Sequence, residues 1–151
     1  MNRKHTVPVI RRLTQNDRKS WRPLWLGYHK FYRSRIADDQ TERAFAMLTG
    51  EASNIFGLVA EKDDELIGFA HCVLHPSTWL AADSCYLQDL FVDSNARGLG
   101  AGRALIEAVY CEADETASGQ VYWMTQEFNA DARALYDSMA VRTSFIQYQR
   151  A

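Results

Sequence analysis

The sequence predicts a single α/β domain, spanning residues 1–151, in which a mixed β-sheet carries helices on both faces. The chain has 151 residues, 47% of them hydrophobic and 24% charged, which suits one domain with one sizeable core. Strand-like and helix-like segments follow one another in the order β-α-α-β-β-β-α-β-α-β. Two of the strands are joined by a short polar turn and must be antiparallel, whereas a later pair is joined through a helix and must be parallel.

The first strand and helix are read from Val7–Leu13 and the residues after it. Thr14–Asp17 is a cluster of helix-capping residues, so the strand ends there and a helix begins. We expect this helix to run to about Tyr32, and Pro23 to kink it or to set its true start. Its core-facing stripe has the helical spacing i, i+3, i+4, i+7 and consists of Trp21, Leu24, Trp25 and Tyr28.

A second helix and a hairpin follow. Asp38–Glu42 opens the helix, and Gly50 stands just past its end. Two apolar segments, Ile55–Glu61 and Leu66–Leu74, are rich in strand-forming residues and are separated by the polar turn 62–65. They predict an antiparallel hairpin.

The second half of the chain predicts the crossover and the end of the sheet. Cys85–Val92 and Gln120–Gln126 read as strands, joined by a helix from about Leu99 to Glu115. Asn129 can cap a further helix, and Thr143–Gln149 reads as a closing strand. Because this last strand is rich in Phe, Ile and Tyr and would lie on or near a sheet edge, we expect it to favour a homodimer.

Composition narrows the class of protein. The longest apolar runs fall far short of the roughly 20 residues of a membrane span, and the basic start lacks a secretory apolar region, so we expect a cytoplasmic protein with no membrane partner. The three cysteines, Cys72, Cys85 and Cys111, form no C-x-x-C pair and predict reduced thiols. His71 and His75 would lie about 13 Å apart on a strand, too far to share a metal.

Charge is divided unevenly along the chain. Residues 1–35 hold ten Lys or Arg and one acid, whereas residues 36–151 hold seven Lys or Arg and eighteen acids. The basic segment contains no recognisable nucleic-acid motif, and a basic helix face that complements an acidic body explains it as well. We therefore expect no nucleic-acid partner.

The segment from Arg97 to Arg103 is the most informative part of the sequence. A strand feeds a turn with glycine at 98, 100 and 102, and a helix then begins. The first amides of a helix point outward unpaired, glycines let a diphosphate approach the backbone, and the two arginines add charged donors. The alternative is a tight turn without a ligand. The spacing fits neither the Rossmann G-x-G-x-x-G nor a P-loop, which disfavours a nucleotide cofactor.

Arg97-Gly-Leu-Gly-Ala-Gly102 resembles the R/Q-x-x-G-x-G/A coenzyme A signature of the GNAT superfamily of N-acetyltransferases. Tyr86–Val92 resembles that family's preceding strand, and Asn129–Tyr136 resembles its N-x-x-A-x-x-L-Y segment. With the matching order of elements, the resemblance covers most of the chain and implies a GNAT-like fold. Val121–Trp123 and the ending Phe145–Tyr148 are most similar to the branch of diamine and histone-type acetyltransferases.

The resemblance implies acetyl-CoA as the cosubstrate and no metal. The backbone of the strand's end would pair with the pantetheine arm, the glycine turn would hold the pyrophosphate, and Asn129 would meet a pantetheine amide. Tyr136 would protonate the departing thiolate, although it also fits a packing role on an apolar helix face. The cofactor-binding residues implied are Leu90, Phe91, Val92, Arg97, Gly98, Leu99, Gly100, Ala101, Gly102, Arg103 and Asn129.

The base is less readable than the acid. Diamine-type relatives often have a glutamate where this chain has Gln88, which cannot accept the amine proton. An amine with a pKa near 10.4 is neutral in roughly 1 molecule in 2,500 at pH 7, a cost of about 4 to 5 kcal/mol. Asp89, Glu127 or a water relay could help, but regular alternation points Asp89 to the face opposite Gln88.

The sequence thus predicts an N-acetyltransferase that moves an acetyl group from acetyl-CoA to a primary amine by direct attack. A polyamine or a lysine side chain is the preferred acceptor, because the acids Asp38, Asp39 and Glu42 could attract a cation, although the basic head opposes this. Two alternatives are a non-catalytic acyl-CoA-binding sensor or assembly module, and a nucleotide-binding protein.

Overall fold

A computed structural model of the chain describes residues 7–52, 54–117 and 119–151. These residues form five strands and four α-helices, with a short 3₁₀ turn before the first and third helices. In chain order the elements are β1 (Val9–Arg12), α1 (Arg18–Phe31), α2 (Asp38–Thr49), β2 (Ile55–Lys62), β3 (Glu65–His75), β4 (Ser84–Val92), α3 (Ala101–Thr116), β5 (Val121–Tyr122) and α4 (Ala130–Met139).

The sheet is mixed, as the sequence predicts. Its strands lie in the order β1-β2-β3-β4-β5, with antiparallel pairing up to β4 and parallel pairing between β4 and β5. The β2–β3 hairpin turns at Asp63 and Asp64, which both have positive φ, as a two-residue turn that matches the strand twist requires. Helix α3 makes the crossover to the parallel strand.

Helices cover both faces of this sheet, which confirms the predicted fold class. One core is built from α1 and α2 against the sheet, with Trp21, Trp25, Phe45, Val59 and Phe69 among its buried members. The other is built from α3, with Leu105, Ile106, Val109, Cys72 and Leu87 among its buried members. Because side chains alternate along a strand, neighbouring residues of β2 and β3 serve opposite cores.

Four arginines of the basic segment are paired with acids of the same chain. These pairs tie β1 to the turn before α1 and to α3, and they tie α1 to α2. They are Arg11–Asp17 at 2.8 Å, Arg12–Glu112 at 2.6 Å, Arg18–Glu42 at 2.6 Å and Arg22–Asp38 at 2.9 Å. The basic face therefore complements an acidic body, as the charge distribution allows.

The predicted closing strand is wrong. Residues 141–150 form no strand, and the predicted strand Gln120–Gln126 is reduced to Val121–Tyr122. The chain leaves the sheet at Trp123, so β5 offers only two residues to a further strand. The apolar segment at the end of the chain therefore finds little of β5 to pair with.

Two smaller predictions concern α1 and the cysteines. Helix α1 begins at Arg18 and continues through Pro23 to Phe31, so the proline does not set its start. Cys72 and Cys85 are buried and Cys111 is exposed, and all three are free thiols. Among the described helices none is long and apolar enough to cross a membrane.

Candidate active site

A cleft of about 590 Å³ opens beside the end of β4. Its walls come from the C-terminal ends of α1 and β4, the N-terminal turn of α3, and α4. The residues that line it are Phe31, Tyr32, Leu90, Phe91, Val92, Ala96, Arg97, Gly98, Gly100, Ala101, Gly102, Arg103, Phe128, Asn129, Ala130, Asp131, Ala132, Leu135 and Tyr136.

The N-terminus of α3 forms the floor of this cleft. Gly98 and Gly100 both adopt positive φ, at 83° and 76°, and Gly100 is the N-cap and gives the helix no side-chain cap. The first amides of α3 are therefore left to a ligand at the positive end of the helix dipole. Gly102 has another role, because a Cβ there would lie 3.2 Å from Leu135 Cδ2, so this glycine lets α3 pack closely on α4.

Two arginines stand on either side of the glycine turn. Arg97 and Arg103 both line the cleft, and Arg103 Nη2 donates to Ser138 Oγ at 2.8 Å, which orients it. Guanidinium groups bind phosphate through paired, charge-assisted hydrogen bonds. The turn and its arginines can therefore hold a pyrophosphate.

The far half of β4 presents an open edge to the cleft. Pairing with β5 stops at Tyr86 and Tyr122, and no described strand pairs with that edge beyond them. Asp93 N–H donates to Ile67 O at 2.8 Å, towards β3, and successive amides alternate between the two edges of a strand. The amides of Leu90 and Val92 therefore point into the cleft, where an extended amide chain can pair with them.

Helix α4 contributes Asn129 and Tyr136. Asn129 occupies the N-cap position, but its side chain donates to Thr125 Oγ1 at 3.2 Å instead of capping the helix. The Tyr136 ring packs edge-on against Trp123, with centroids 5.4 Å apart, and burial raises the pKa of its hydroxyl to about 12. No hydrogen bond joins this hydroxyl to another described residue.

A β-bulge decides where Asp89 points. His71 pairs with Asp89 and Cys72 with Leu87, so Gln88 is an extra residue in β4. Regular alternation would put Asp89 on the α3 face with Leu87. The bulge instead turns Asp89 to the α1 face, so the regular alternation that the prediction assumed does not hold at this position. Gln88 is exposed.

Asp89 joins a polar network beneath α1. Its Oδ1 accepts from the Tyr28 hydroxyl at 2.9 Å, and its Oδ2 is 3.0 Å from His71 Nδ1. On the other side of the imidazole, Trp21 Nε1 donates to His71 Nε2 at 3.1 Å. The carboxylate is 15% exposed and the His71 side chain only 4%, so the network reaches the surface at its acidic end.

The structure brings most of the sequence-derived site residues together. Every implied cofactor-binding residue except the exposed Leu99 lines the cleft, and so does Tyr136. Asp89 does not line the cleft, but it is adjacent on β4 to the cleft residue Leu90. Glu127 does not join them, because its side chain is 89% exposed and lies 3.5 Å from Arg142. Its role as a base stays a prediction.

Four residues of the site were not singled out as functional by sequence reasoning. Phe31 and Tyr32 line the cleft from the end of α1, and Tyr28 and His71 bind Asp89. The apolar stripe of the first helix located its aromatic rings, but periodicity carries no information about what a tyrosine hydroxyl meets.

A glycine-rich helix N-terminus beside an unpaired strand edge defines a class of protein, those that hold coenzyme A along a splayed sheet. The residues present fit that ligand: amides and arginines face the position of a diphosphate, and strand amides face the position of an amide-containing arm. The chain belongs to the acetyltransferase (GNAT) family, whose model matches residues 13–140.

Comparison with individual proteins agrees with this assignment. The chain is 33% identical over 144 residues to the D-amino-acid N-acetyltransferase HPA3 of Saccharomyces cerevisiae, covering 94% of this chain and 89% of that protein. The ribosomal-protein-alanine N-acetyltransferase of Brucella melitensis has a similar fold, with a TM-score of 0.82, 22% identity and coverage of 97% and 99%. AAC(6')-Iy, in complex with the bisubstrate analogue CoA-S-monomethyl-acetylneamine, also has a similar fold, with a TM-score of 0.79 and 18% identity. The match covers 97% of this chain and 99% of that protein.

The protein is therefore an acetyl-CoA-dependent N-acetyltransferase, and the predicted family, fold and enzyme class are confirmed. Acetyl-CoA supplies an activated acyl group and a thiolate leaving group. A cluster of His, Cys, Asp and Glu that could hold a metal ion is absent from the described residues.

Proposed function

We propose that this enzyme acetylates a primary amine, with a polyamine or a lysine side chain preferred, through direct attack of the neutral amine on the thioester. The supporting observation is the Asp89 carboxylate, which lies at the surface end of a buried network beside the open edge of β4. A carboxylate at the surface attracts a cationic amine and so favours it over a neutral acceptor.

The chemistry assigned to the chain has three parts. Arg97 and the amides at the start of α3 hold the diphosphate, and the amides of Leu90 and Val92 hold the arm in line with the acceptor. Positioning of this kind supplies much of the rate gain of a two-substrate reaction. Tyr136 then donates to the departing sulfur, and Asp89 takes up the proton that the amine loses.

The acids of α2 contribute less to acceptor binding than the sequence suggested. Asp38 is 2.9 Å from Arg22, and Glu42 is 2.6 Å from Arg18. Exposed charges that are already paired attract a further cation weakly. Attraction of the amine is therefore assigned to Asp89 rather than to these residues.

A second acceptor class, the α-amine of an amino acid, is favoured by a separate observation. The yeast relative at 33% identity is named as a D-amino-acid N-acetyltransferase. Arg33 and Arg35 follow the cleft residues Phe31 and Tyr32 directly and are exposed, so they could meet a substrate carboxylate. A polyamine would be repelled by the same two arginines.

Thiol release from acetyl-CoA across an amine panel tests both classes. The panel contains spermidine, a lysine peptide, D- and L-forms of one amino acid, and an aminoglycoside. We expect spermidine or the lysine peptide to give the highest kcat/KM. Faster turnover of the aminoglycoside would overturn the proposal, and faster turnover of a free amino acid would establish the second class.

We also propose a homodimer that uses the end of the chain. The segment 141–150 lies unpaired, and its apolar side chains Val141, Phe145, Ile146 and Tyr148 are 76 to 88% exposed. Burial of one such side chain is worth roughly 1.5 to 3 kcal/mol, so covering them against a second copy would favour association.

Light scattering at micromolar concentration tests this association. The full chain should have the mass of a dimer, and a chain that ends at Ala140 should have the mass of a monomer. A monomeric full chain, or a dimer that survives the truncation, would contradict the proposed role of the segment.

A further inference from the structure

Tyr28 connects Asp89 to the cleft. Its hydroxyl donates to Asp89 Oδ1 at 2.9 Å, and its ring packs edge-on against Tyr32 and Phe91, with centroids 5.1 and 6.0 Å away. Both of these neighbours line the cleft. Asp89 directly precedes Leu90, whose amide points into the cleft. The Tyr28–Asp89 pair therefore lies directly against the cleft wall.

The rest of the network determines the proton arrangement at this pair. An indole N–H can only donate, so Trp21 requires His71 Nε2 to be an acceptor. The His71 proton is then on Nδ1 and is donated to Asp89 Oδ2, at 3.0 Å. A second proton on His71 would place two N–H groups against each other. His71 is therefore held neutral, and it does not cancel the charge of Asp89.

The other titratable groups that face the pair are also neutral near pH 7. Burial lowers the pKa of His29 and raises the pKa of Tyr32 and Tyr86. Burial, reinforced by the charge of Asp89, raises the pKa of Tyr28 far above its ordinary value. The Tyr28 hydroxyl thus keeps its proton, and it can pass that proton to Asp89 only while it receives another.

We propose that Tyr28 relays a proton from the attacking amine to Asp89. As the nitrogen bonds to the carbonyl carbon, an N–H bond breaks and its proton moves to Tyr28 Oη, while the former hydroxyl proton moves to Asp89 Oδ1. The C–S bonding pair leaves with sulfur as a thiolate, to which the Tyr136 hydroxyl donates a hydrogen bond. Asp89 then releases its proton to water.

This direction of transfer is favourable because the nitrogen loses its basicity as its lone pair enters the amide bond. His71 keeps the second carboxylate oxygen in place and is a positioning residue. The inference rests on the proposed amine acetylation, and it adds a catalytic residue from α1 to a reaction assigned so far to β4, α3 and α4.

The test compares Tyr28→Phe with wild type on alkylamines that are matched in size but differ in basicity through fluorination. Rates are expressed per neutral amine. We expect a loss of about 100-fold, within the range of general acid–base catalysis. The dependence of rate on amine pKa should also steepen, because without the relay the nitrogen carries more positive charge in the transition state.

A matched control is Tyr110→Phe. Its hydroxyl also makes one hydrogen bond, to Met139 O at 3.2 Å, and Tyr110 does not line the cleft. This variant should keep the wild-type rate and the wild-type slope. Asp89→Asn should slow the reaction by about as much as Tyr28→Phe. Because both substitutions disable the same relay, the double variant should be no slower than the slower of the two single variants.

The outcomes separate the relay from the acceptor assignment. If wild type acetylates amines but Tyr28→Phe keeps its slope or its rate, the relay is wrong and amine acetylation stands. Additive losses in the double variant would also overturn the relay. If wild type acetylates no amine in the series, the proposed function fails and the relay fails with it.

Discussion

Replacing Tyr136 with phenylalanine isolates the donor hydroxyl from the ring that carries it. The ring packs against Trp123, and its hydroxyl makes no hydrogen bond to a described residue, so the change removes no contact that stabilises the fold. We therefore expect the free energy of unfolding to stay within about 0.5 kcal/mol of wild type. Affinity for coenzyme A should be unchanged as well.

The effect on turnover follows from the pKa of about 12 that burial gives this hydroxyl. A donor with so high a pKa stabilises the thiolate chiefly as a hydrogen-bond partner, because complete transfer to a thiolate whose acid has a pKa of about 8.5 is unfavourable. A hydrogen bond to a charged group is worth roughly 1.5 to 3 kcal/mol. Its loss should slow turnover about 10- to 150-fold.

Single-turnover rates, with enzyme in excess over acetyl-CoA, measure this step without product release. Because Tyr136 stays protonated far above neutrality, the ratio of wild-type to variant rates should be constant from pH 6 to about 10. Equal rates for the two proteins would refute the role of Tyr136 as a donor. A ratio that falls to one well below pH 10 would show that the titrating donor is another group.

Three further predictions concern the cofactor cradle and the fold. Gly100→Ala should weaken coenzyme A binding, measured by calorimetry, and should lower the free energy of unfolding by about 1 to 2 kcal/mol because φ is 76° at this position. Gly119→Ala, which is also at positive φ but lies outside the cleft, should lower stability without weakening coenzyme A binding. Arg97→Gln should raise the coenzyme A Kd about 10- to 150-fold through loss of a charged hydrogen bond, with Arg142→Gln as the control outside the cleft. The Arg11 guanidinium lowers the pKa of Asp17, so this carboxylate stabilises the fold above its ordinary pKa; the stability gap between wild type and Asp17→Asn in urea unfolding should shrink as pH falls below about 4, and a gap that grows would contradict the pairing.

The fold was largely predictable because its signals are local. Strand-forming composition and a polar turn located the β2–β3 hairpin, helical spacing located α1 and α3, and the glycine turn marked the start of α3. The closing strand failed because pairing is a long-range property. A segment rich in strand-forming residues shows a tendency to pair, but it does not show that β5 ends after two residues.

The same distinction applies to the site. The cradle was predictable because one continuous segment supplies its glycines and arginines. The Asp89 network was not, since it joins residues 61 positions apart in the case of Tyr28 and depends on one extra residue in β4. A β-bulge has no dependable sequence signature, so alternation alone could not show that Asp89 faces α1.

The open edge of β4 also bears on solubility. Unpaired strand edges are templates for uncontrolled sheet growth, and soluble proteins protect them with charge, bulges or cover. Here the edge lies inside a cleft, with Tyr32 on one side and Leu135 on the other. Walls on both sides of the edge hinder a second sheet from pairing with it. The walls that line the cleft therefore also protect the enzyme against aggregation.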